Sequence, residues 1–159
     1  MSSVRRVIFG PNPRRTTVRI LVLAVACILT FRWILLPVRA DGDSMLPTYS
    51  TGKLTFVNRM AYLGSRPQRG DIVAIKLAGP HVVYIKRIVG LPGERLSVRD
   101  GQIYINEVPL VEPYVRHRKP WDLDEVTLGN SEYFVAGDNR GTSDRGLVEE
   151  GRILGRLVY

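Results

Sequence analysis

Apolar residues follow two different patterns along this chain of 159 residues. From Ile20 to Phe31 the sequence ILVLAVACILTF carries no charge, and WILLPV continues the apolar run after Arg32. Together these segments give about 19 residues, close to the roughly 20 that a helix needs to cross a bilayer. Arg32 lies near one end of the run, where its side chain can reach the interface, and Pro37 favours the end of a helix. The pattern predicts a membrane-spanning helix over residues 18–38.

The charges in front of this run predict its orientation in the cell (plasma or inner) membrane. The positive-inside rule assigns residues 1–17 to the cytoplasm and residues 39–159 to the other side. A cleaved signal peptide is the competing interpretation, but the positions after the run, LLPVRADGD, include Arg39 and do not favour a small-residue cleavage site. We therefore expect a retained single-pass anchor in the lipid bilayer. No Asp or Glu precedes Asp41, whereas six arginines occur by position 32: Arg5, Arg6, Arg14, Arg15, Arg19 and Arg32.

The net charge of +8 comes mostly from these arginines. The rest of the chain has no basic stripe interleaved with aromatic residues, so we expect no nucleic-acid partner. Cys27 is the single cysteine and lies within the apolar run, which excludes an intramolecular disulfide. No feature of the sequence indicates an oligomeric state.

Beyond residue 50 the apolar residues occur in short runs rich in β-branched and aromatic side chains, which are typical of strands. Gly and Pro clusters separate these runs, and no segment after residue 40 keeps a period of 3.6 residues. Asp100-Gly101 indicates the two-residue turn of a hairpin. The polar stretch 115–130 is predicted to be a long surface loop. The pattern predicts a mainly β unit, a small barrel-like or coiled sheet, with strands over residues 53–58, 71–76, 82–89, 95–106, 132–137 and 151–159.

Ser44, in the segment ADGDSMLPTYS just after the apolar run, is a candidate nucleophile that needs a base. Of the two histidines, His81 follows a Gly-Pro turn and His117 lies in a basic loop. At such positions a solvated side chain is more typical than a member of a catalytic triad. Without clustered Cys, Asp or Glu they do not predict a metal site either. A serine–lysine pair is the remaining precedent, and it requires a lysine whose pKa is lowered by burial.

Lys86 lies inside the apolar strand VVYIKRIV and is the candidate base. Strand alternation separates Lys86 from Arg87, but both faces are mainly apolar, so periodicity does not choose between them. Chemistry does, because an arginine stays charged in proteins and cannot accept the proton. On the residues alone, a lysine at a strand edge with its ammonium in solvent is an equally good interpretation.

Four short motifs occur in order behind the apolar segment: SMLPT (44–48), RGDIV (69–73), YIKRIVGLPGE (84–94) and GDNRGTS (137–143). With them the chain resembles the type I signal peptidase family, membrane-bound serine–lysine endopeptidases that remove signal peptides from exported preproteins. The resemblance spans essentially the whole chain, including YINEVPLVEPY and EYFVAGDN. It implies a mostly β catalytic domain over residues 39–159, no cofactor or metal, and preprotein substrates with small residues at the first and third positions before the cut.

The resemblance also implies roles for individual residues. Ser44 corresponds to the nucleophile, Lys86 to the general base, and Ser143 to the serine that orients the lysine ammonium. The oxyanion would be held by the Ser44 backbone N–H. In part of the family a serine two positions before the nucleophile is a second donor, but Gly42 stands there in this chain. Structural supports of the loop containing GDNR are implied at Asp138 and Arg140.

The last motif departs from the family pattern. The family serine is usually followed by one residue and then Asp-Ser-Arg, whereas this chain continues from Ser143 as DRGLVEEGR. We expect Asp144 and Arg145 to form a supporting ion pair at this shortened position. Two other functions stay open: a specialised relative, such as a processing peptidase for conjugative transfer or an organellar inner membrane, and a membrane-tethered β module that binds partners without catalysis.

Overall fold

The computed structural model describes residues 12–76, 83–116 and 118–158, and the chain divides into two compact units between Leu36 and Pro37. In the first unit, helix α1 spans Pro13–Leu29 and is followed by a π-helical turn over Thr30–Ile34. Its large apolar side chains are exposed from Val18 to Trp33. The segment Arg14–Ile34 is long and apolar enough to cross a membrane.

The helix limits differ from the predicted 18–38 at both ends. Pro13 is the first helical residue, a position where the missing N–H of proline removes no hydrogen bond. At the other end, strand β1 (Leu35–Arg39) replaces the last turn of the predicted helix. A residue that precedes proline is disfavoured in the helical conformation, so extended backbone before Pro37 is the expected local outcome.

The second unit consists of two antiparallel sheets, which confirms the predicted mainly β fold. One sheet has seven strands in the order β1-β2-β11-β3-β4-β9-β10, and the other has four in the order β7-β6-β5-β8. A 3-10 turn over Glu150–Arg152 precedes the last strand. The remaining strands are β2 (Leu54–Asn58), β3 (Ile72–Lys76), β4 (Val83–Gly90), β5 (Arg95–Arg99), β6 (Gln102–Ile105), β7 (Val108–Pro109), β8 (Leu123–Thr127), β9 (Glu132–Ala136), β10 (Arg145–Glu149) and β11 (Ile153–Val158).

Each predicted strand segment contains a strand, and the β5–β6 hairpin turns at Asp100 and Gly101, both with positive φ. The prediction of a loop throughout 115–130 was wrong, because β8 lies within it and pairs with β5. Leu123 and Val126 of β8 pack against the core, but an irregularity in the pairing with β5 breaks their alternation. That broken period hides the strand in the sequence.

Strand β4 lies between β3 and β9, and its alternate side chains face two different apolar clusters. Lys86 is paired with Val73 of β3, so the two side chains lie on the same face. Val73 belongs to an apolar cluster on this face that also contains Val135. Arg87 lies opposite Ala136 and on the other face, where a second cluster fills the space between the two sheets. The segment 137–144 then connects β9 directly to β10, and it leaves β9 at Ala136, the residue paired with Arg87 of β4.

Candidate active site

Ser44 lies half-buried in the turn that follows β1, and the segment 137–144 holds its backbone. The Asn139 N–H donates to the Ser44 carbonyl at 3.0 Å, and the Asn139 side-chain amide donates to the Asp43 carbonyl at 3.1 Å. Met45, the next residue, is buried and anchors the turn in the core. The position of Ser44 is therefore set by main-chain contacts with the loop that carries Ser143.

Lys86 reaches the same loop from β4 and is buried, with 5% of its surface exposed. Its Nζ donates a hydrogen bond to Ser143 Oγ at 3.3 Å. Burial lowers the pKa of Lys86 below its ordinary value, and the negative charge of Asp144 partly opposes that decrease. The amine form, which is the form that can accept a proton, is favoured by this environment.

Gly137 is the point where these groups converge. Its N–H donates to Ser143 Oγ at 2.9 Å. A Cβ atom on Gly137 would lie 2.0 Å from Ser143 Oγ and 2.3 Å from the Ser44 carbonyl oxygen, so only glycine permits this approach. The Ser44 backbone carbonyl and Ser143 Oγ, which accepts from Lys86, thus both lie against one small residue.

Asp138 pairs with Arg87, the strand neighbour of Lys86. The guanidinium donates to both carboxylate oxygens, at 2.9 and 2.7 Å, and Asp138 is fully buried. Thr48, four residues after Ser44, donates to the same carboxylate at 2.5 Å. Asp138 therefore connects the segment after β9 to β4 and to the turn containing Ser44.

Arg140 pairs with Glu112, a residue from the segment that follows β7. Two guanidinium nitrogens donate to the two Glu112 oxygens, at 3.1 and 2.5 Å, and both side chains are almost completely buried. Arg140 Nε donates to the Gly137 carbonyl at 2.9 Å. Like Asp138, this residue supports the loop, but its partner comes from an element that the motifs do not include.

The ion pair expected between Asp144 and Arg145 does not occur among the described residues. Consecutive residues entering a strand point in opposite directions, and here Asp144 is exposed while the Arg145 guanidinium stacks on Trp121 at 4.0 Å. Burial and the nearby positive charge of Arg140 lower the pKa of Arg145. The Asp144 backbone carbonyl accepts the Ser143 hydroxyl proton at 2.9 Å, so Asp144 contributes its main chain to the site.

Gly42 has a φ of +85°, a conformation that residues with side chains rarely adopt. A Cβ there would meet no atom within 4 Å, so backbone conformation, and not space, favours glycine.

An open cavity of about 180 Å³ borders Lys86 on the side of Tyr84, Val135 and Leu147. The cavity gives Lys86 a route to solvent on the face away from Arg87.

Sequence reasoning missed Glu112, Thr48, Asn139 and the structural role of Gly137. A signal for Glu112 was present, since it is the only charge in VPLVEPY, an otherwise apolar segment with two prolines. His81 and His117, considered as bases, lie outside the described residues.

Comparisons with known proteins indicate the family of this chain. A family described as "Signal peptidase, peptidase S26" matches residues 14–159. Signal peptidase I of Bacillus amyloliquefaciens and signal peptidase I T of Bacillus subtilis (strain 168) are each 35% identical over 155 residues, covering 87% of this chain and 80% of theirs. A crystal structure of a signal peptidase I from Enterococcus faecalis V583 aligns at 33% identity with a TM-score of 0.50, over 59% of this chain and 98% of that one.

The β unit with its buried lysine and loop serines, together with these relatives, defines the class as a serine endopeptidase. The chain belongs to the signal peptidase family, peptidase S26, and its function is that of a signal peptidase I. The family resemblance expected from the four motifs is thereby confirmed.

Proposed function

We propose that this peptidase cleaves preproteins with Ser44 as nucleophile and Lys86 as general base. The observation that carries the proposal is the buried Lys86, whose Nζ contacts Ser143 Oγ on the same loop that holds the Ser44 backbone. Neutral Lys86 takes the Ser44 proton as Oγ attacks the scissile carbonyl. The protonated lysine then gives a proton to the leaving amine, and water hydrolyses the acyl-enzyme.

Ser143 is proposed to orient the lysine. Its hydroxyl proton is donated to the Asp144 carbonyl, and its oxygen accepts from the Gly137 N–H. Ser143 therefore acts toward Lys86 only as an acceptor, which fixes one N–H of Nζ. The lone pair of the neutral amine is then free to take the Ser44 proton.

The oxyanion is proposed to bind the Ser44 backbone N–H. A second donor from the side chain at position 42 is not available to this chain, and a serine introduced there would be strained by the positive φ. We assign oxyanion stabilisation to backbone groups for this reason.

The substrate is proposed to bind as an extended strand along β4. Strand β9 ends at Ala136, opposite Arg87, so no described strand pairs with the segment 83–86 on that side. An extended peptide can add to such an edge through main-chain hydrogen bonds. Small residues at the first and third positions before the cut, as in the family, are the expected specificity. A panel of preproteins compared with one dedicated substrate separates general signal-peptide processing from a specialised role.

The helical segment Arg14–Ile34 is proposed to anchor the enzyme with its N-terminus in the cytoplasm and the β unit outside it. The N-terminal arginines and the absence of acidic residues before Asp41 support this orientation. External protease added to spheroplasts should cut the segment 115–122, which precedes β8. Complete protection of that segment would contradict the orientation.

The test of the dyad is cleavage of a preprotein by the full chain in detergent or lipid. Wild type should release the signal peptide, and Ser44→Ala and Lys86→Ala should each reduce the rate to background. A rate close to wild type from either variant would contradict the assignment.

A further inference from the structure

Glu112 and Arg140 form a buried ion pair away from the reacting groups. Their side chains are 0% and 1% exposed, and the guanidinium contacts both carboxylate oxygens. The partners are 28 residues apart in the chain. A buried pair of this kind contributes little stability compared with two apolar residues of similar size, so its presence calls for a structural purpose.

Contacts lead from this pair to the proposed base in three steps. Arg140 Nε donates to the Gly137 carbonyl at 2.9 Å. The N–H of Gly137 donates to Ser143 Oγ at 2.9 Å, and Ser143 Oγ accepts from Lys86 Nζ at 3.3 Å. Both the N–H and the carbonyl of Gly137 are thus engaged, and the orientation of this residue determines where Ser143 Oγ lies.

Tyr114 connects the same segment to the other support of the loop. Its hydroxyl donates to Glu112 at 2.9 Å, and its ring lies 4.0 Å from the guanidinium carbon of Arg87. Arg87 in turn binds Asp138 through two hydrogen bonds. The segment 112–114 therefore braces the loop at two places, through Arg140 and through Arg87.

We propose that Glu112 is a positioning residue for the serine–lysine reaction, holding Arg140 so that its Nε fixes Gly137 and, through it, Ser143 and Lys86. This inference rests on the proposed function of Lys86 as base. Arg140 needs a charged partner to remain buried beside Gly137, and Glu112 supplies that partner without touching the substrate or the reacting atoms. Its effect falls on the rate of the chemical step, not on substrate binding.

The deciding variant replaces both members of the pair, Glu112→Leu together with Arg140→Met. Two apolar residues of similar size keep the region packed without an unpaired charge, so the urea unfolding midpoint should stay close to wild type. The hydrogen bond to the Gly137 carbonyl is lost, and kcat should fall about 10- to 100-fold while KM stays within about twofold. The substrate is a preprotein cleaved by the full chain in detergent.

Single variants separate the contributions of the individual residues and provide a control. Glu112→Gln keeps the shape of the side chain but leaves the Arg140 charge without a counterion, and it should lower both kcat and the unfolding midpoint. Tyr114→Phe removes one hydrogen bond to Glu112 and should lower kcat only about two- to threefold. Glu125→Gln is the matched control, since Glu125 pairs with Arg95 on the exposed face of β8 and should have wild-type kinetics.

The outcomes separate this inference from the proposed function. If wild type fails to cleave any preprotein, the proposed function is wrong. If wild type cleaves and the double variant keeps wild-type kcat, or loses activity only through a higher KM, Glu112 is not a positioning residue. If the double variant does not fold, Glu112→Gln assayed below its unfolding temperature decides by the same division between kcat and KM.

Discussion

Lys86 and Arg87 are consecutive residues of β4, similarly buried, and yet their surroundings treat a positive charge differently. Arg87 faces a carboxylate that accepts two of its N–H groups, and a second donor from Thr48 completes that site. Lys86, on the other face, makes its described side-chain hydrogen bond to the neutral hydroxyl of Ser143. Burial without a directly bound counterion lowers the pKa of the lysine.

One strand thus carries both a permanently charged side chain and the proposed base. Alternation places the two side chains in different cores, and the loop after β9 supplies a partner to each: Asp138 for the arginine and Ser143 for the lysine. The arginine contact fixes the loop, and the lysine contact depends on the loop being fixed. Structural and chemical roles are thereby separated at adjacent positions.

Lys86→Arg should cause the largest change, because it puts a permanent charge where the proposed base is. Preprotein cleavage should fall at least about 10³-fold, since a guanidinium does not accept the Ser44 proton. Lys76→Arg, at an exposed position at the end of β3, is the matched control and should cleave at the wild-type rate. Cleavage by Lys86→Arg within tenfold of wild type would mean that position 86 does not supply the base.

Asp138→Asn should have its main effect on stability, through the other face of β4. The Arg87 guanidinium would stay buried with its counterion removed, and the free energy of unfolding should fall by about 3–5 kcal/mol. Urea unfolding in detergent, followed by tryptophan fluorescence, measures the change. Asp144→Asn alters an exposed carboxylate and should change that free energy by less than about 0.5 kcal/mol. Equal losses of unfolding free energy from the two variants would mean that the Arg87–Asp138 pair does not stabilise the fold more than an exposed carboxylate does.

Gly137→Ala tests whether the segment 137–144 must hold its position for Ser143 and Ser44 to be correctly placed. The added methyl group would overlap Ser143 Oγ and the Ser44 carbonyl, so one or both must move. A displacement of about 1 Å at reacting groups lowers rates about 10²-fold, and that is the expected loss in kcat. Gly151→Ala, whose Cβ would meet no atom within 4 Å, is the control. An unchanged kcat for Gly137→Ala would show that Ser143 is not held in the way described.

Much of the fold could be predicted from the sequence because its information is local. The apolar run, the β-branched runs and the Asp100-Gly101 turn each specify their element within a few residues. Strand β8 and the polar edge strand β10 escaped prediction because pairing with a neighbouring strand, and not their own pattern, stabilises them. Their existence depends on the assembled sheet.

The sequence indicates the motif residues of the candidate site but not the partners that hold them. Chemistry alone selects Lys86 over Arg87 as a base, but no local pattern indicates that Arg87 binds Asp138, 51 residues later. The family resemblance suggested an ion pair between Asp144 and Arg145, whereas the backbone directs the two side chains apart. The partner of a buried charge is brought to it by the tertiary structure, and the sequence shows only that such a partner must exist.

The smallest expected effect is a shift of the pH profile in Asp144→Asn. The Asp144 carboxylate raises the pKa of Lys86 against the larger lowering by burial, so removing the charge should lower that pKa further. With Lys86 as the proposed base, activity should be lost as pH falls through its pKa, because the protonated lysine cannot accept the Ser44 proton. The acid limb of kcat/KM should therefore move to lower pH in Asp144→Asn, and the difference from wild type should shrink at high salt because Asp144 is exposed. Asp124→Asn, an exposed carboxylate on β8, should leave the profile in place. A shift to higher pH would mean that Asp144 acts on Lys86 through the shape of the loop and not through its charge.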